Sequence, residues 1–194
     1  MNLPHRYQQN FLGALFVCLV LLGGLSAAWQ PSLQVWGKAV SGLQMTIYID
    51  QAESAQSKVP KFRVELHNYG ETDLFLNLGV VTGGKQYPGA VDLSLTDARG
   101  KSRRFVLSLP AVGGRLDFLV LPLPAGATFS IPVDLENYWA AAPKKFDNKL
   151  TPGTYFLEAQ FTGKGISRNE GIALMPNWTG TVASNRLQFD VSSQ

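Results

Sequence analysis

The side chains in this 194-residue sequence that could carry chemistry are few. The only histidine beyond the first ten residues is His67. A histidine base needs a nucleophile within hydrogen-bond reach and a third group to orient the ring. No G-x-S-x-G or H-E-x-x-H pattern supplies them, so His67 reads as a surface residue at the end of a strand. Carboxylates could act without it. Asp134 and Glu136 flank Leu135 and would point the same way from one strand, Glu71 and Asp73 flank a turn, and Asp117 opens an apolar run. Paired carboxylates serve glycoside hydrolysis or calcium binding. Neither pair has the dense Asp/Asn/Gly spacing of a calcium loop, and we expect both to do no more than keep a strand and a turn soluble. Gly83-Gly84 and Gly113-Gly114 lack the Lys-Ser/Thr that completes a phosphate-binding loop. Asn177-Trp178-Thr179 matches a glycosylation acceptor, a three-residue pattern of low specificity. The expectation is a non-enzyme with no catalytic residue, no cofactor and no metal site.

Three aromatics stand outside the patterned stretches: Tyr138, Trp139 and Trp178. Exposed, they could stack on sugar rings or anchor a protein partner. Buried, they would plug the ends of the core, the commoner fate of large aromatics. They are the candidate partner-binding residues.

Charge excludes one class of partner. Lys plus Arg is 17 against 14 Asp plus Glu, a formal +3. The densest basic groups, Lys101-Arg103-Arg104 and Lys144-Lys145, sit beside turn signals. A nucleic-acid footprint needs basic residues gathered on one face, and none is expected here.

The first 28 residues read as a secretory leader. His5 and Arg6 come with no acid, Phe11 to Leu22 are almost all apolar, Gly23-Gly24 break the run, and Ser26-Ala27-Ala28 follow. That is the order of n-region, h-region and small-residue cleavage site, with the cut expected between Ala28 and Trp29. A spanning helix wants about 20 apolar residues, so the run is short for an anchor. The membrane enters only if the leader is retained. Cys18, the single cysteine, lies inside this run and leaves no disulfide or thiol chemistry for the mature part. The residues before it, Phe16 and Val17, are too bulky for a lipobox. The predicted organisation is a signal helix over 1–28, a lead-in over 29–42 and one domain over 43–194. The predicted location is periplasmic or extracellular.

What must position these groups is a set of strands. Leu43, Met45, Ile47 and Ile49 alternate with polar residues, as do Phe62, Val64 and Leu66. The same period of two runs through Leu74-Leu76-Leu78, Val91-Leu93-Leu95, Phe105-Leu107-Leu109, Phe129-Ile131-Val133-Leu135, Tyr155-Leu157-Ala159-Phe161 and Leu187-Phe189-Val191. Residues 116–121 form a more continuous apolar run. Alternation of this kind buries one face of a strand, and strands this short between Gly/Pro/Asn turns predict an all-β sandwich or barrel. Pro132 cannot donate to a ladder, so its strand should be an edge or carry a bulge. Residues 136–150 should include a short helical turn, and 162–184 should form a long connection.

Leu150-Thr151-Pro152-Gly153-Thr154-Tyr155 resembles the tyrosine corner of immunoglobulin-like and fibronectin type III sandwiches, in which the tyrosine hydroxyl bonds back to the preceding corner. The mature chain is also similar to a group of exported bacterial proteins of unassigned activity. The shared features are Gly42-Leu43, Asn68-Tyr69-Gly70, Leu76-Asn77-Leu78-Gly79 and Trp178-Thr179-Gly180 before Ser184-Asn185. The resemblance implies an immunoglobulin-like antiparallel β-sandwich and carries no catalytic residues. The functional expectation is an exported, non-catalytic module that binds an unidentified protein or glycan or has a structural role in the envelope. The alternatives are a secreted protease inhibitor presenting a loop from 162–184, and a carboxylate-based glycan hydrolase using Asp134, Glu136 or Asp117.

Overall fold

The period-two stretches are strands in the computed structural model of the chain, which describes residues 35–54, 57, 59–108, 115–140, 150–164 and 177–192. All of these belong to one unit, 34–194. The leader and the first part of the lead-in fall outside the described residues, as do Leu109 and the stretch 165–176.

The elements in chain order are β1 (Leu43–Ile49), a single helical turn α1 (Gln51–Ser54), β2 (Phe62–Asn68), β3 (Leu74–Thr82), β4 (Lys85–Tyr87), β5 (Val91–Asp97), β6 (Ser102–Leu107), β7 (Asp117–Leu123), β8 (Thr128–Val133), a 3-10 turn (Leu135–Asn137), β9 (Tyr138–Ala140), β10 (Gly153–Gly163), β11 (Gly180–Ala183) and β12 (Leu187–Val191). Every pairing is antiparallel. One sheet has the order β1-β2-β8 and a second β4-β3-β7. The largest runs β9-β6-β5-β10, with β11 and β12 sharing the far side of β10. The fold is all-β, its antiparallel sheets gathered about one apolar core.

The alternating residues fill that core. Met45 and Ile47 of β1, Val64 and Leu66 of β2, Leu93 of β5, and Leu157 and Phe161 of β10 are all buried. Phe62 meets Phe189 edge-on at 4.9 Å between ring centroids. Each such side chain contributes about 1.5–3 kcal/mol on leaving water. The Tyr155 ring stacks on Phe189, and its hydroxyl donates to the carbonyl of Thr151 at 2.9 Å.

Asn68 is the corner at which one strand pair becomes another. The β2–β8 ladder ends where Asn68 N–H bonds the Ala127 carbonyl at 2.9 Å. The β3–β7 ladder begins just beyond it, with Leu74 opposite Leu123. The buried Asn68 amide spans the gap: Nδ2 donates to the carbonyls of Thr72 (2.8 Å) and Leu123 (2.9 Å), and Oδ1 accepts from Gly70 N–H (3.0 Å). Tyr69 and Gly70 also donate to the Gly42 carbonyl. Two of the sequence signatures, Gly42-Leu43 and Asn68-Tyr69-Gly70, therefore form one structural unit.

Some elements differ from expectation. β4, β9 and β11 are too short, at three or four residues, to show alternation. β4 exists because Gly83 and Gly84, at φ +56° and +74°, make the two-residue hairpin turn that twists with its strands. The continuous run expected over 116–121 is a strand one residue later, 117–123, and leaves Leu116 exposed. Of the stretch 136–150, expected to include a helical turn, 141–149 lie outside the described residues, and the described part begins in a 3-10 turn at 135–137, capped by Asp134 Oδ1 accepting Glu136 N–H at 3.0 Å. The connection read as 162–184 is shorter: β10 runs on to Gly163 and β11 begins at Gly180.

Candidate functional site

The open side of the core is a cavity of about 480 Å³, within the range of ligand sites. Leu78, Leu107 and Leu119 give it an apolar floor, and the buried Tyr138 lines it as well. Its two walls are strands of different sheets. β8 contributes four successive residues, Phe129 to Pro132, and β4 contributes Lys85 to Tyr87 followed by Pro88. A strand showing a face to a cavity contributes every second residue; a run of successive residues means the strand lies edge-on. Both strands are outermost in their sheets. The cavity is thus a slot between two strand edges.

Burial and ion pairing set its electrostatics. Burial, and secondarily the charge of Asp92, pushes the Tyr138 phenol above its ordinary range, so it enters the slot neutral. Asp134 lines the slot and holds Lys61, whose ammonium is raised first by that hydrogen bond. Lys85 has no carboxylate partner among the described residues.

The outer face of the β1-β2-β8 sheet is polar and internally satisfied. Arg63 reaches Asp50 Oδ2 through Nε (2.9 Å) and an Nη atom (2.6 Å), which lowers the Asp50 pKa and raises that of Arg63. Tyr48 donates to Glu65 Oε1 at 2.6 Å, and burial followed by that carboxylate pushes its phenol from 10.0 up to about 12. A phenol whose folded pKa lies above its unfolded value contributes stability that is intact below pH 10.0 and is lost as pH rises toward 12. Melting temperature should therefore fall more steeply between pH 10 and 12 in the native chain than in Tyr48→Phe, and parallel curves would remove Tyr48 as the cause.

The structure separates the three candidate aromatics. Tyr138 is 2% exposed and lines the slot. Trp139, the next residue, turns to the opposite face of β9 and lies half-buried across from Val106. Trp178 is 6% exposed and belongs to the core. Its ring stacks on Phe161 at 5.5 Å, its Nε1–H donates to the Ser41 carbonyl at 3.0 Å, and its backbone N–H donates to Phe75 at 2.8 Å. Gly163 and Gly180, opposite each other in the β10–β11 ladder, make room for the indole; a Cβ on Gly180 would come within 3.0 Å of it.

The carboxylates are not brought together. Asp134 lines the slot, Glu136 is exposed on the 3-10 turn and does not line it, and Asp117 pairs with Arg115 at 2.6 Å at the start of β7. Asp73 accepts from Ala125 N–H at 3.1 Å in a surface turn, beside exposed Glu71. His67 Nδ1 lies 3.1 Å from Thr128 Oγ1, with the Trp36 ring 5.4 Å from its own. Among the described residues no group of three His, Cys, Asp or Glu is placed to hold a metal. Asn177 is 9% exposed, so its amide is withdrawn from modifying enzymes, and neither side-chain polar atom has a partner among the described residues.

Sequence reasoning missed the slot because one wall, β4, is a three-residue strand with no pattern. A signal for the other wall was present: Pro132 marks an edge, and the stretch Thr128–Val133 carries no charge. No protein-family model matches this chain, and no curated protein matches it.

Proposed function

We propose that this chain is an exported, non-catalytic binding module with an immunoglobulin-like sandwich, acting in the periplasm or outside the cell, and that the slot between β8 and β4 receives a protein partner. Export is supported by the leader pattern in residues 1–28. The immunoglobulin-like assignment is supported by the bond from the Tyr155 hydroxyl to the Thr151 carbonyl and by the pairing of β10 with the last strand, β12. The binding role rests on one observation: an apolar-floored cavity whose walls are the edges of two strands. A protein suits it better than a glycan because its walls are strand edges, which pair with another backbone, and two of the three candidate aromatics, Tyr138 and Trp178, are withdrawn into the interior.

A photoreactive amino acid placed at Gln86, in the full chain within producing cells, tests this reading. It should give a covalent adduct with an envelope protein on irradiation, while the same group at Thr154 gives none. Equal adducts from both positions, or none from Gln86, would remove the slot as the binding site.

A further inference from the structure

The two edges of the β1-β2-β8 sheet are treated differently. On β1 the outward backbone groups belong to Leu43, Met45, Ile47 and Ile49, because the residues between them face β2. The first three of these are capped. Leu43 exchanges two hydrogen bonds with Val40, Met45 O accepts from Gly37 N–H at 2.8 Å, and the Asn185 side chain acts as a detached peptide group for Ile47. Asn185 Oδ1 takes the Ile47 N–H at 2.8 Å and Nδ2 donates to the Ile47 carbonyl at 3.1 Å. From Leu43 to Ile47 this edge is occupied.

On β8 the bond from Asn68 N–H to Ala127 sets the phase, so Phe129, Ile131 and Val133 face β2, while Thr128, Ser130 and Pro132 face out. Pro132 agrees with that phase, since its missing N–H costs the ladder nothing there. Among the described residues nothing pairs with this side of β8. Natural proteins protect such an edge with charge, a bulge or a cover. Here the strand is uncharged, Pro132 is its one blunting residue, and the edge borders the slot with its floor of leucines. Across the slot stands the ammonium of Lys85, which has no carboxylate partner among the described residues.

We infer that the outer edge of β8 is a strand-addition site, at which an extended segment of a partner protein, apolar at alternate positions and carrying an acidic side chain, pairs with Thr128–Pro132 and sets its carboxylate against Lys85. The recognising chemistry is main-chain: the N–H and C=O of Thr128 and Ser130 and the C=O of Pro132 bond the incoming backbone. The apolar floor takes every second side chain, the general form of recognition by β-augmentation. Lys85 supplies the charge that selects an acidic segment over a basic one. The inference rests on the slot being the binding site.

The test is selection of linear peptides from a displayed random library against the full chain, followed by titration of the enriched peptides, made as free acetylated and amidated chains. Enriched sequences should alternate apolar residues and contain an acid. Ser130→Pro, which removes an outward N–H without touching the β2 ladder, should weaken them at least tenfold. Lys85→Glu should also weaken them at least tenfold, and Arg186→Glu, on the far side of the large sheet, should not. Should Ser130→Pro fold poorly, amide exchange in the native chain replaces it: the Ser130 N–H must slow on peptide binding while Ile131, already bonded to β2, changes little. Peptides that bind the Ser130→Pro chain equally, leave the Ser130 amide unprotected or prefer the Lys85→Glu chain would overturn strand addition, as would a library yielding none. If adducts from Gln86 persist in any of those cases, the slot still binds protein and only the strand mode fails. A native chain that runs as a dimer, with Ser130→Pro monomeric, would assign the edge to a second copy and overturn the separate partner.

Discussion

Trp178→Ala should cost about 3–5 kcal/mol, the range for emptying a core site of its largest side chain. The indole stacks on Phe161 and holds the Ser41 carbonyl across 137 positions of sequence, so truncation removes both packing and a long-range bond. The glycines beneath it cannot close the hole, because nothing larger than hydrogen projects from Gly163 or Gly180 toward the space. Against a total stability of about 5–15 kcal/mol, this loss should lower the melting temperature by about 10 °C or more. Trp139→Ala, at a half-buried site on the outer side of β9, should cost about 1 kcal/mol. Thermal and denaturant unfolding of the two variants checks the contrast. Equal, small effects would mean that the Trp178 ring does not sit in the core. The contrast bears on function as well: loss of partner binding in Trp178→Ala would report unfolding, whereas the same loss in Trp139→Ala, with the chain still folded at the assay temperature, would report a contact.

Strands that bury a face were legible because burial writes itself at every second position. Met45-Ile47, Phe62-Val64-Leu66 and Leu157-Ala159-Phe161 were readable for that reason and are all core. What stayed hidden was what burial does not pattern. β4 is exposed at Lys85 and Gln86 and is held by its turn and ladder. In β11, Gly180 reads as loop punctuation although it serves the Trp178 ring above it, and that ring contact is set by a residue two positions away rather than by any local rule. Asn185 is a polar residue between two strands, and only its position against Ile47, 138 residues earlier, makes it an edge cap. The slot was hidden for a related reason. A cavity walled by strand edges is built from backbone, and side-chain spacing says which face of a strand is buried, not which edge is left unpaired. Pro132 spoke about an edge, because proline alone alters the backbone's own donors, and Pro122 carries the same signal in β7, the outermost strand of its sheet.

Asn68→Leu should cost about 2–3 kcal/mol, even though it places an apolar residue of similar size in a fully buried site. The amide closes three backbone groups, Gly70 N–H and the carbonyls of Thr72 and Leu123, where two ladders meet. Leucine would leave the buried Leu123 carbonyl without its side-chain partner, at about 1–3 kcal/mol. The Gly70 N–H keeps the Gly42 carbonyl and the Thr72 carbonyl lies at an exposed residue, so their losses add less. Asn68→Asp separates the bonding from the packing. Its carboxylate can still accept from Gly70, but when ionised it would face the Thr72 and Leu123 carbonyls with no proton to offer. Protonated, it recovers one of those two bonds. The folded state therefore favours the protonated form and raises this carboxyl above its unfolded value. The variant's stability deficit should be smallest below that unfolded value, about pH 4, and should grow as pH rises through the folded value, while the deficit of Asn68→Leu stays level over the same range. Parallel pH profiles for the two variants would mean that the corner depends on the volume of residue 68 rather than on the hydrogen atoms its amide donates.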